Sequence, residues 1–314
     1  MEDATKNVQP TLTGTRFGIG TWSWGDRLFW GYGQGYEKED LKQVFKASLD
    51  AGIDFFDTAE VYGQGRSESF LGEFIMEDRR PARVATKFMP YPWRLKRANL
   101  IKALRASLER LGMQRVALYQ IHQPLPPISV ETWMGGMIEA YQAGLIEAVG
   151  VSNYDRQRMT RAYECLTREG IPLASNQVEY SLINRRVEKN GLLKACQELG
   201  VTLIAYSPLG LGLLSGKYTP DNPPQGIRGA RYNRKFLAQI QPLISLLRKI
   251  GAEHAGKTPA QVALNWAMSK GTLVIPGAKN LDQFEQNKGA LGWKLSDQEI
   301  EALDEISDRV LERH

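Results

Sequence analysis

One pattern recurs along this chain and limits its fold more than any other feature. An amphipathic stretch ends in a glycine, a short apolar run follows, and a polar residue closes the run. The glycine-led segments are Gly52-IDFFDT, Gly112-MQRVALYQIH, Gly144-LIEAVGVSN, Gly170-IPLASNQ, Gly200-VTLIAYS and Gly271-TLVIPG. Glycine ends a helix because it turns left-handed without steric penalty. The apolar runs are too short for helices and too continuous for half-exposed strands, so they fit parallel strands covered on both faces. Phe17–Trp22 and Arg83–Lys87, the latter after Pro81, bring the expected strands to eight. Eight alternating β and α units predict an α/β fold of the (β/α)8 TIM-barrel type. The alternative is an open doubly wound sheet. The segment after the first strand, GTWSWGDRLFWGYG, lacks the GxGxxG spacing usual in that fold's first turn.

A chain of 314 residues suits one such barrel domain over residues 1–314, since these barrels run to about 250 residues plus insertions. The segment YTPDNPPQGIRGARYN (Tyr218–Asn233) reads as an insertion loop, about residues 215–235, between the seventh strand and its helix. Thr258-Pro259 with Gln261 marks a helix start, and Ser296-x-x-Glu299 is a capping box opening a C-terminal helix over about residues 296–311.

Several function classes lose ground on composition. No apolar run approaches the roughly 18 residues of a membrane helix. Cys165 and Cys196 lie 31 residues apart, and His122, His254 and His314 are scattered, so neither a disulfide framework nor a metal cluster is expected. The net charge is +5, and the densest basic run, from Arg94 to Arg115, carries an apolar stripe of Leu100, Ile101, Leu104, Leu108 and Leu111. That is the solvated face of an amphipathic helix. No nucleic-acid-binding motif accompanies it, and a small polyanionic ligand is the better use for the charge. The acidic, polar start MEDATKNVQP is unlike a secretory signal or a transit peptide. The expected location is the cytoplasm, or the plastid stroma if a transit peptide has been removed. The sequence is silent on oligomeric state.

In a barrel of this kind the C-terminal ends of the strands form the active face. Strand two delivers Asp57, with Tyr62 five residues on, and strand three ends in Lys87. Strands four to seven end in His122, Ser152-Asn153, Asn176-Gln177 and Tyr206-Ser207, and strand eight in Pro276-Gly277-Ala278-Lys279. Taken singly, Asp57 reads as a turn residue, and Tyr62 and His122 as packing residues. Lys87 resists that reading, because lysine at the end of an apolar strand needs a partner. Asp57 is the natural one. Tyrosine titrates near pH 10 and is a poor proton donor at neutral pH. A nearby ammonium is expected to lower that value, a carboxylate holds the ammonium, and an imidazole orients a carbonyl oxygen. Such a set suits protonation of a carbonyl oxygen as hydride reaches carbon.

The chain resembles the aldo-keto reductases from about Leu12 to Leu303, through GIDFFDTAEVYG, VATK, LYQIH, AVGVSN, SNQVEYS, AYSPLGLGLLSGKY and IPGAKNLDQFEQN. The resemblance implies a catalytic tetrad of Asp57, Tyr62, Lys87 and His122, with Tyr62 the general acid. It also implies NADPH/NADP+ as cofactor. The nicotinamide would lie beside Gly20, Thr21, Trp22 and Asp57, stacked on Tyr206, with Ser152, Asn153 and Gln177 bonding its carboxamide. Ser207, Leu209, Gly210, Leu211, Ser215 and Lys217 match the segment following the pyrophosphate. Gly277, Lys279, Gln283, Gln286 and Asn287 match the adenosine-phosphate site. Relatives often carry arginine where Lys279 stands and glutamate where Gln286 stands. Lysine is a point charge rather than a bidentate fork, so NADPH is the expected preference with an open margin over NADH.

The loop GTWSWGDRLFWGYGQG is too glycine-rich for regular structure and too aromatic to face water. Trp22, Trp24, Trp30 and Tyr32 are expected to wall a substrate site whose floor is Tyr62 and His122. With FMPYPWRLK, the loop most resembles the branch of plant pyridoxal reductases and their bacterial relatives, which implies a small aromatic carbonyl substrate. A second class of function is a cofactor-binding regulatory subunit resembling potassium-channel β-subunits. The complete tetrad favours the enzyme.

Overall fold

In the computed structural model, residues 12–224, 226, 229 and 232–312 are described. Arg228, Arg231 and His314 lie outside them. The strands are β1 (Ile19–Gly20), β2 (Phe55–Asp57), β3 (Arg83–Phe88), β4 (Leu118–Ile121), β5 (Val149–Ser152), β6 (Leu173–Glu179), β7 (Thr202–Tyr206) and β8 (Leu273–Val274). They form one parallel sheet in the order β1 to β8. Parallel bridges Phe17–Val274 and Gly20–Gly277 join its two edges and curl the sheet into the (β/α)8 barrel. Strands one and eight are shorter than expected, at two residues each. Gly18 N–H and Gly20 N–H donate instead to the carbonyls of Val274 and Pro276 across the joint.

The helices are α1 (Lys38–Asp50), α2 (Arg66–Asp78), α3 (Arg97–Leu111), α4 (Val130–Gln142), α5 (Arg156–Thr167), α6 (Arg186–Lys189), α7 (Leu192–Glu198), α8 (Arg234–Glu253), α9 (Pro259–Ser269), α10 (Leu281–Lys288) and α11 (Asp297–Glu312). The six glycines that led the apolar runs all follow helices, with φ between 63° and 79°. A Cβ there would meet nothing within 4 Å, so the dihedral, not space, demands glycine. Strand three lacks such a glycine, and Arg79 takes the left-handed turn in its place at φ 66°. Both anticipated helix starts form. Thr258 and Gln261 make a reciprocal capping box, and Glu299 N–H donates to Ser296 Oγ while the Ser296 N–H donates to Glu299. The leucine stripe of α3 is buried, with Ile101 at its half-buried margin.

Two cores result. The larger lies between sheet and helices. The smaller, inside the barrel, comprises Leu12, Phe55, Ala85, Leu118, Ala148, Ala174, Ile204, Leu273 and Ile275. Side chains alternate along a strand. Two residues beyond Phe55, Ala85 and Leu118, the same inner face therefore carries Asp57, Lys87 and Gln120. The apolar filling thus gives way to a polar layer at the C-terminal mouth. No helix among the described residues is long and apolar enough to cross a membrane, and none of their His, Cys, Asp and Glu side chains group as a metal site.

Candidate active site

The polar layer is built around Lys87, fully buried. Its Nζ donates to Asp57 Oδ2 at 2.6 Å, to the Thr58 carbonyl at 2.7 Å and to Tyr62 Oη at 3.3 Å. Asp57 Oδ1 accepts from Gln177 Nε2 at 2.7 Å and from Gln120 Nε2 at 3.2 Å. A buried ion pair is stable only when its remaining hydrogen-bonding sites are satisfied, and the two glutamines do this for the carboxylate. Tyr62 begins a tight turn, Tyr62–Gly65, in which Gly63 and Gln64 are left-handed. That turn aims the phenol back at β3. The His122 ring stands edge-on to Tyr62, centroids 5.7 Å apart, and its buried Nδ1 has no hydrogen-bond partner among the described residues.

The electrostatics depart from expectation in one respect. Burial, with the Asp57 charge beside it, holds the Tyr62 phenol well above its ordinary value. Lys87 was expected to lower it, but desolvation wins. Burial also lowers Lys87 itself, against the pull of Asp57. Burial and the Lys87 charge push His122 down to about 3, so its imidazole is neutral at working pH. Phenol and imidazole therefore both stand neutral beside a buried ion pair.

A cavity of about 530 Å³ opens above these groups, within the usual range for small-molecule sites. Its wall includes most of the anticipated residues: Gly20, Trp22, Asp57, Tyr62, His122, Ser152, Asn153, Gln177, Tyr206, Ser207, Leu209, Leu211, Ser215, Lys217, Gly277, Lys279, Gln283, Gln286 and Asn287. Ser152 Oγ donates to the Gln177 carbonyl at 2.8 Å, and Tyr206 Oη donates to Asn153 Oδ1 at 3.0 Å, which fixes the Tyr206 ring.

Five of the residues expected around the cofactor and substrate do not line it. Lys87 lies behind the phenol. Thr21 is fully buried, its Oγ1 donating to the Asp57 carbonyl and paired with Ser67 Oγ. Gly210 makes room for Ile183, whose Cδ1 a Cβ would meet at 2.3 Å. Trp24 was expected in the substrate wall and is not there. It is fully buried, packs on Phe56 and Phe74, and donates its indole N–H to the Ala278 carbonyl at 3.1 Å. Tyr32 likewise packs on Tyr36 and Phe70. The aromatic wall is Trp22 and Trp30, braced by Phe29: Trp22 stacks on Phe29 at 4.9 Å and meets Trp30 edge-on at 5.4 Å.

Sequence reasoning overlooked Gln120 and Gly150. Two-residue alternation back from His122 would have found Gln120. A Cβ on Gly150 would stand 2.5 Å from Ser175 Oγ and 2.9 Å from Gln120 Cγ. The missing side chain is what lets Gln120 cross the barrel to Asp57.

The donor set fits a dinucleotide. Asn153, Ser207 and Leu211, non-glycine residues on the wall, hold left-handed backbone at φ 59°, 49° and 55°, and such strain gathers at ligand clamps. Ser23 Oγ, also on the wall, is buried without a hydrogen-bond partner among the described residues. At the far end the cavity meets the start of α10, and a helix N-terminus favours phosphate. Ser152, Asn153, Gln177 and Tyr206 offer hydroxyls, amides and a ring to the cavity, and Lys279, Gln283, Gln286 and Asn287 offer a cation and amides.

A barrel whose mouth presents a phenol propped on a buried lysine defines an NAD(P)-dependent oxidoreductase acting on carbonyl groups. The chain belongs to the Aldo/keto reductase family, whose sequence model matches residues 16–308. It is similar to the chloroplastic pyridoxal reductase of Arabidopsis thaliana, 42% identical over 92% of this chain and 82% of that one. It is also similar to the aldo-keto reductase yakc [NADP(+)] of Schizosaccharomyces pombe, 32% identical over 87% and 84%. Among solved structures, the glycerol dehydrogenase AKR11B4 of Gluconobacter oxydans superposes with a TM-score of 0.82 at 29% identity, over 94% of this chain and 92% of that one.

Proposed function

We propose that the protein reduces a small aromatic aldehyde, of which pyridoxal is the leading candidate, to its alcohol with NADPH, Tyr62 acting as general acid. The observation that carries this reading is the contact of Lys87 Nζ with both Asp57 Oδ2 and Tyr62 Oη at the floor of the cavity. A bound reduced dinucleotide supplies the hydride. As the carbonyl oxygen gains negative charge, the phenol gives it a proton. The Lys87 ammonium then stabilises the phenolate left behind, and Asp57 keeps that ammonium charged and in place. The neutral His122 ring orients the carbonyl oxygen by a hydrogen bond without competing as an acid. The raised phenol matters here: the proton stays on oxygen until a stronger base forms in the transition state.

Trp22 and Trp30 present flat faces that suit an aromatic ring, the class that the name of the Arabidopsis relative suggests. Lys279 would meet the 2′-phosphate of NADPH, consistent with the cofactor in the fission-yeast relative's name. The complete set of Asp57, Tyr62, Lys87 and His122 beneath the cavity favours catalysis over a purely regulatory cofactor-binding role. The test is oxidation of NADPH and of NADH with pyridoxal, 4-nitrobenzaldehyde and methylglyoxal side by side. Fast NADPH turnover of the ring aldehydes supports the reading. No turnover of any carbonyl overturns it.

A further inference from the structure

The aromatic loop and the turn after β8 are joined by two bonds that run in opposite directions. Trp24 of the loop donates its indole N–H to the Ala278 carbonyl at 3.1 Å. The next residue of the turn, Lys279, donates its Nζ to the Trp30 carbonyl at 2.7 Å. The ammonium also lies 5.0 Å from the Trp30 ring centroid and 4.6 Å from that of Tyr36. One bond uses an indole sealed in the core and is permanent. The other uses a half-buried lysine whose neighbours on the cavity wall are Gln283 and Gln286.

We infer that Lys279 is a positioning residue that couples the cofactor's 2′-phosphate to the aromatic wall of the substrate site: the phosphate draws the ammonium off the Trp30 carbonyl and loosens the loop. The inference rests on the reading that this phosphate binds at Lys279. A phosphate oxygen is charged and a peptide carbonyl is not. Both bonds use the ionised ammonium, but only the phosphate adds a full opposite charge to attract it, so the phosphate wins. Lysine suits such an exchange because its charge rides on a flexible four-carbon stem. The released carbonyl belongs to a residue in edge contact with Trp22, whose ring lies 6.3 Å from that of Tyr62. The route from phosphate to acid is therefore Lys279, Trp30, Trp22, Tyr62. Asp26 Oδ1 accepts from the Phe29 and Trp30 amides, and the Tyr32 amide donates to the Asp26 carbonyl. These bonds keep the loop folded after its latch opens, so the change is a loosening rather than an unfolding. Nicotinamide binding would act on the loop whichever cofactor carries it. Only the phosphate distinguishes the two.

The test uses fragments without nicotinamide: adenosine 2′,5′-bisphosphate against adenosine 5′-monophosphate, on the protein as it stands and on Lys279→Met and Lys279→Gln. Affinity comes from calorimetry and loop stability from amide hydrogen exchange at Trp30, Tyr32 and Gln34. In the parent protein, the bisphosphate should bind tighter and speed exchange at these amides about fivefold over the monophosphate, the effect of losing one ordinary hydrogen bond. In both variants the exchange should already be fast without ligand, and the bisphosphate should lose its affinity advantage. If the bisphosphate advantage survives in both variants, the phosphate binds elsewhere and the underlying reading fails. If the advantage is lost but the parent's loop exchanges equally with either fragment, the phosphate site stands and the coupling is overturned.

Discussion

Lys87 and Asp57 form an ion pair of 2.6 Å with both side chains withdrawn from solvent, and the same ammonium reaches the Tyr62 phenol. Replacing Lys87 with methionine leaves Asp57 buried with only the amides of Gln120 and Gln177 to hold it. Breaking a buried pair on one side costs about 3–5 kcal/mol. Chemical denaturation should show a loss of that order, together with a large fall in turnover. A Lys87→Met protein that is active and equally stable would contradict both halves.

Tyr62→Phe removes the phenol and little else. Loss of a general acid lowers rate by about 10²–10⁴. Turnover should drop by that amount while NADPH affinity, read by fluorescence titration, stays within about twofold of the parent, since proton transfer matters only in the transition state. Near-normal turnover would remove Tyr62 from the mechanism.

The pH behaviour follows from the two neutral groups. Because the phenol lies above its ordinary value of 10.0, kcat/KM should show no alkaline limb from Tyr62 below that pH. His122 titrates at about 3 when folded and at 6.5 as a free side chain. Between those values the unfolded chain binds the proton that the folded protein refuses. Stability tied to His122 is therefore intact above 6.5 and drains away as pH falls toward 3. His122→Asn should flatten that part of the stability–pH curve, measured by urea unfolding at stepped pH. An unchanged slope would show that His122 is protonated in the folded protein.

Gly150→Ala places a methyl group 2.5 Å from Ser175 Oγ and 2.9 Å from Gln120 Cγ. Overpacking of a closed core costs about 1–3 kcal/mol. Displaced Gln120 also leaves Asp57 short of a donor, so kcat should fall with stability. Adding Ser175→Ala removes the nearer clash and should restore part of the melting temperature. A lone Gly150→Ala that melts with the parent would show the polar layer to be looser than its packing implies.

The two tryptophans of the aromatic loop should now behave differently. Trp24→Ala empties a core site and costs about 3–5 kcal/mol, so activity should fall alike on every substrate. Trp22 faces the cavity, and a stacked ring gains about 0.5–1.5 kcal/mol beyond its area. Trp22→Ala should lower kcat/KM for 4-nitrobenzaldehyde by up to about tenfold and change methylglyoxal much less. Equal losses on both would argue against a stacking wall.

The barrel was legible because its signals are local and repeated. A helix-ending glycine and a short apolar run each report on a few residues, and six such repetitions with two further apolar runs leave little freedom. Asp57, Lys87 and His122 were legible for the same reason, since strand ends locate the active face. The loop was not. Trp22 and Trp24 are two residues apart in one irregular segment, and nothing in their spacing says that one faces a cavity and the other the carbonyl of Ala278. That choice is made by a contact 254 residues away in sequence. The phenol's shift was missed for a related reason. A neighbouring charge can be read from a motif, but the depth of burial that outweighs it belongs to the assembled mouth.

The joint between β1 and β8 has a further consequence. These strands are two residues each, and the edges meet through isolated bridges at Phe17–Val274 and Gly20–Gly277. A ring with one thin seam breathes there first. Gly20, Ile275 and Gly277 also line the cavity, so an occupant touches both lips of the seam. Ligand binding and seam closure are then one equilibrium viewed from two sides. Resistance to proteases should therefore rise as the cavity fills.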